Sequence, residues 1–62
     1  MFEKFEEIFT KVMLKKGINK WYELFDSEDF EEVEERISEL LGYNCWECND
    51  FRNWHHEMAM DL

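Results

Sequence analysis

Cys45-Trp46-Glu47-Cys48, followed by His55-His56, is the one stretch of this chain whose residue types could hold a metal. Two cysteines in a C-x2-C knuckle and two histidines are the donors of tetrahedral zinc. The spacing works against such a site. Cys48 and His55 are seven residues apart, about 10.5 Å if helical, whereas the ligands of one ion gather within a few ångströms. A zinc set of Cys45, Cys48 and His55 therefore requires a helix break near Asn49-Asp50, or ligands from a second chain. The bland alternative makes Cys48 a small core residue, Cys45 a half-exposed thiol near a helix start, and His55 a histidine on the flank of the core. A redox role for the cysteines lacks the βαβ pattern that usually accompanies it.

A second pattern is electrostatic. From Glu23 to Glu39 the chain has nine acidic residues and one basic residue, Arg36, a net −8 out of a formal −9 for all 62 residues. Glu28, Glu31, Glu32, Glu35 and Glu39 fall on one stripe of a helix, opposite Phe30, Val33, Ile37 and Leu41. Between Glu28 and Glu39 the charge density is about one per 3 Å of helix axis, close to the roughly 3.4 Å per phosphate of one DNA strand. That density has a cost. Glu28–Glu32, Glu31–Glu35 and Glu35–Glu39 are like-charge i,i+4 pairs, each unfavourable by about 0.2–0.5 kcal/mol. The stripe is either a face that meets a basic partner or a solvated face neutralised by the lysine flank of the first helix (Lys4, Lys11, Lys15), within the chain or across a dimer.

Three helices and a connector must position these groups. Phe2, Phe5, Ile8, Phe9, Val12 and Met13 recur at spacings of three and four and predict a core-facing helix over 2–16, ended by Gly17. Residues 20–25 read as a short helical connector, with Asn19 a possible cap. Asp26 or Ser27 caps a helix over 28–41, with Phe30, Val33, Ile37, Leu40 and Leu41 inward and Gly42 as its stop. Asn44 and Glu47 fit a capping box for a last helix over 45–60, with Cys48, Phe51, Trp54, His55, Met58 and Ala59 inward. The short joint at 42–44 makes the last two helices an antiparallel hairpin. The expectation is a single all-α domain spanning 1–62.

Composition narrows the function. The acidic balance disfavours direct binding to nucleic acid or anionic membrane, since both attract Lys and Arg. No stretch approaches a membrane span and no secretory signal opens the chain, so a cytoplasmic location is expected. Phosphate-binding loops, dinucleotide fingerprints and H-E-x-x-H are lacking, and no enzyme activity is expected. No cofactor is expected either, with zinc the alternative. Trp46 falls off the inward stripe of its helix, and Trp21 and Tyr22 cannot both be central, so aromatic surface remains for a partner or a homodimer.

These features predict a small acidic inhibitor that occupies the basic groove of a nucleic-acid-handling protein through Glu28, Glu31, Glu32, Glu35, Glu39 and Trp46. In size and charge the chain is similar to virus-encoded inhibitors of CRISPR effectors, restriction enzymes or polymerases, and to acidic immunity proteins. That likeness is one of composition and covers no alignable motif. It would make the chain a nucleic-acid mimic of the anti-CRISPR kind, carried by a phage and acting in the host cytoplasm. The alternatives are a zinc-organised helical module and a homo-oligomeric structural protein with a solvated acidic face.

Overall fold

Phe5, Phe9 and Val12 stand four and three residues apart, so they share one helical face, and all three are buried in α1, Phe2–Lys16. A computed structural model describes residues 2–61. Glu3 in the first turn of α1 and Lys15 and Lys16 in its last complement the helix dipole. Gly17, at φ +70°, stops the helix. Its N–H donates to the Leu14 carbonyl and that of Ile18 to the Met13 carbonyl, the paired bonds of a Schellman end.

The short helix α2, Trp21–Phe25, buries Leu24 completely and leaves Tyr22 exposed. Its capping position falls on Lys20, not Asn19, and no side chain caps it. Helix α3 runs Phe30–Leu41 and begins two residues later than the pattern predicts. Neither Asp26 nor Ser27 caps it. The Ser27 hydroxyl donates to the Leu24 carbonyl at 2.9 Å, and tight i→i+3 turns lead through Glu28 and Asp29 into the helix. Phe30, Val33 and Ile37 are buried, whereas Leu40 is half exposed because it is rotated about 60° from Ile37 toward Arg36.

The largest departure is in the last helix. The expected span 45–60 is divided into a 3-10 turn, Cys45–Glu47, and α4, Asn49–Met60, by extended backbone at Cys48. Asn44 does cap, but its Oδ1 accepts from the Trp46 N–H, and i→i+3 bonds close the turn before an α-helix can propagate. The break lets Cys45 and Cys48 both enter the core, so Cys45 is not the half-exposed thiol expected. Ala59, expected inward, is exposed.

The domain is all-α, with no strand among the described residues. Helix α1 packs on α3 and α4, and the 42–48 segment packs on both α3 and α4. Phe30 at the start of α3 meets His55 midway along α4, ring centroids 5.7 Å apart, but α3 and α4 are joined mainly through α1 and the 42–48 segment and not as the closely packed hairpin expected. Rings fill the centre: Phe5 lies 5.7 Å from both Phe51 and Trp54, and Phe9 lies 5.9 Å from Trp54. Phe51→Ala should cost about 3–5 kcal/mol, close to the whole stability of a domain this small. Circular dichroism in urea is expected to show loss of cooperative unfolding for that variant. Leu14→Glu, at a position 77% exposed, should unfold within about 0.5 kcal/mol of the parent.

Candidate functional site

Gly42, at φ +82°, turns the chain back against α3 instead of away from it. Two hydrogen bonds then clasp the returning segment to the helix. The Cys45 N–H donates to Ser38 Oγ at 3.0 Å, and the Trp46 indole Nε1–H donates to Glu34 Oε2 at 2.7 Å. The indole also stands edge-on to Phe51 at 4.8 Å and to His55 at 4.9 Å. Trp46 is nonetheless 40% exposed and Tyr43 beside it 48%. Proximity to the Cys48 thiol, more than its own partial desolvation, raises the Tyr43 phenol above its ordinary value.

The result is an open groove of 810 Å³ with two unlike walls. Glu31, Glu34, Glu35 and Glu39 form one, and Tyr43 and Trp46 line the other. Among the described residues none of these four carboxylates has a Lys, Arg or His nitrogen within 4.0 Å.

Glu32 differs from the rest of the predicted stripe. It accepts from Lys15 Nζ at 3.0 Å and lies 3.6 Å from Lys16 Nζ and 3.1 Å from Arg36. Lys16 also reaches Asp29 at 3.5 Å. The lysine flank therefore neutralises one edge of α3 within the chain. Its members are not quite those expected: Lys11 pairs with Glu7 on its own helix, and Lys16 joins Lys15. The hydrogen bond from Lys15, with the nearby charges of Lys15, Lys16 and Arg36, holds the Glu32 carboxyl below its ordinary value despite some desolvation.

Of the predicted binding residues, Glu31, Glu35, Glu39 and Trp46 come together at the groove. Glu32 turns to α1, and Glu28 lies in the turn before α3 and does not line the groove. Glu34 belongs to the site and was not expected there. It sits next to the apolar stripe, and only the fold-back of Trp46 gives that position a partner.

The cysteine–histidine constellation does not assemble. Cys45 and Cys48 lie in the core, and burial raises the Cys45 thiol above its ordinary value, which favours the protonated form. The helix break that a zinc site requires does exist, at Cys48. His55, however, is boxed by rings, with Phe25 at 4.6 Å, Trp46 at 4.9 Å and Phe30 at 5.7 Å. Among the described residues no three His, Cys, Asp or Glu side chains are placed to hold a metal ion. A second, smaller groove of 290 Å³ lies by Met13, Trp21, Trp54 and Met58. Among the described residues the buried Trp54 indole N–H has no acceptor.

No protein-family model, curated protein or solved structure matches this chain. Function must therefore be read from the geometry. No helix among the described residues is long and apolar enough to cross a membrane.

Two titrations test this electrostatic arrangement. Because the Glu32 carboxyl is lowered from 4.5, its stabilising effect is complete above that pH and disappears as pH falls through the lowered value. Glu32→Gln should therefore lower the urea midpoint at pH 7 and leave it unchanged near pH 2. An equal loss at both pH values would mean that Glu32 acts through packing. His55 is lowered from 6.5, chiefly by burial. Its neutral form is the one the fold accepts, so stability should decline as pH drops below 6.5, and His55→Phe should remove that part of the decline.

Proposed function

We propose that this protein binds a basic, nucleic-acid-handling protein and occupies the groove through which that partner holds its nucleic acid. The observation carrying this reading is the un-neutralised carboxylate wall of α3 beside an exposed, anchored tryptophan. Glu31 to Glu39 spans about 12 Å of helix axis, which spaces the four groove carboxylates about 4 Å apart. Phosphates of one DNA strand are spaced about 3.4 Å. A rigid helix thus offers a basic surface a similar linear charge without bases or a cleavable backbone. Like charges held at i,i+4 cost stability, and α3 carries Glu31–Glu35 and Glu35–Glu39 while Lys15 and Lys16 pair directly only with Glu32 and Asp29.

An inhibitor of the kind viruses direct at CRISPR, restriction or polymerase machinery fits this size and surface. The homo-oligomeric alternative is less well supported, because Lys15 and Lys16 already pair with Glu32 and Asp29 of their own chain. Electrostatic attraction would speed encounter and weaken with salt.

The deciding experiment is competition. The partner recovered with this protein should release it when duplex or single-stranded nucleic acid is added, and binding should weaken steeply between low and physiological salt. Glu31→Lys, Glu35→Lys and Glu39→Lys together should lower affinity by at least about tenfold, mostly through slower association. Glu32→Gln should have little effect on binding. Tight binding by the triple variant, or simultaneous binding of nucleic acid to the same partner surface, would refute the proposal.

A further inference from the structure

We infer that the groove between α3 and the 42–47 segment seats an arginine side chain of the basic partner, its guanidinium stacked on Trp46 and facing the Glu31 and Glu35 carboxylates. This inference rests on the reading under Proposed function and adds the chemistry that the groove selects.

Among the described residues the groove is lined only by α3 and the 42–46 segment, so it is a helix face with one aromatic wall. Its charge is complementary to a cation, and three further features choose among cations. First, the carboxylates are distributed along the helix axis instead of converging. Among the described residues no trio of acidic, cysteine or histidine side chains is placed around a common point, so a compact divalent ion finds no chelating set. Second, Trp46 presents an exposed ring that is already fixed. The Glu34 carboxylate holds its N–H at 2.7 Å, and Phe51 and His55 brace the ring edge-on. Little rotamer freedom remains to be lost when a ligand stacks there. The carboxylate–indole bond also pushes electron density toward the ring, which strengthens its attraction for a cation on its face. Third, the two walls demand two properties at once. A guanidinium is planar and weakly hydrated, stacks on aromatic faces and forks onto carboxylates, whereas an ammonium is a compact, strongly hydrated point charge. Arginine satisfies both walls. Lysine meets the acidic wall as well, but the aromatic wall only as a hydrated point charge that cannot stack.

The groove is open and, at 810 Å³, larger than one side chain. The partner segment therefore lies along α3 with its arginine inserted toward Trp46 and neighbouring basic residues over Glu35 and Glu39.

The test uses blocked tetra-arginine and tetra-lysine peptides of equal charge, titrated into the ¹⁵N-labelled full chain at low salt. The arginine peptide should bind about three- to fivefold more tightly, as expected for a partly exposed cation–π contact, and should shift the Trp46 indole N–H resonance. Trp46→Leu should reduce arginine binding to the lysine level and leave lysine binding within about twofold. Trp46→Tyr, which keeps an aromatic face, should retain part of the preference even if the leucine variant is poorly folded. Dispersion of the amide spectrum reports folding in each case. Equal affinities, with shifts confined to the α3 backbone amides, would overturn the arginine seat and leave the broader acidic-face reading standing. Absence of a saturable, salt-sensitive shift with either peptide would remove both.

Discussion

Contact between α1 and the rings of α4 is the constraint on which the rest of this small protein depends. A chain of 62 residues has little interior to spend on anything but its largest side chains. Phe5 and Phe9 meet this limit by touching Phe51, Trp54 and Phe30, so one face of one helix touches both other long helices. Edge-on and tilted ring pairs contribute about 0.5–1.5 kcal/mol each beyond the area they bury. Once α1 has fixed α3 and α4, the connection between them has to turn back over α3, and that return makes the groove.

The electrostatics follow from the same placement. With α1 docked along one edge of α3, its terminal lysines fall beside Glu32 and Asp29 and neutralise that edge. Such partly exposed pairs are individually worth about 0–1 kcal/mol. Their larger effect is on asymmetry. One edge of α3 becomes a mixed-sign network of Lys15, Glu32 and Arg36 that Glu35 and Glu39 border, and the acidic surface continues from there toward Glu31 and Glu34, so the helix presents a graded surface and not a uniformly acidic one. The clasp then places Trp46 on the charged side.

Much of this was legible in the residue pattern. Spacings of three and four gave the buried faces of α1 and α3, and glycines at 17 and 42 marked both stops, each later found at positive φ. Boundaries set by side-chain capping were less legible, because Ser27 donates to a carbonyl where a cap would accept from an N–H. Residues 45–48 misled for a related reason. A regular helix there is compatible with the local sequence, but it would not permit the bonds from Cys45 to Ser38 and from Trp46 to Glu34. Those partners lie seven and twelve residues away, beyond what a single-helix periodicity can express. Hence Glu34 was missed and Glu32 was included in the face.

Cys45 and Cys48 lie in the segment that carries the aromatic wall, and both thiols are shielded by the core. Neither can react with a solvent-borne reagent until that segment lifts away from α3 and α4. Their rate of modification therefore reports how often that segment opens, and its dependence on denaturant distinguishes a local opening from global unfolding. A ligand that clamped Trp46 from outside would oppose that opening and slow the exposure of both thiols.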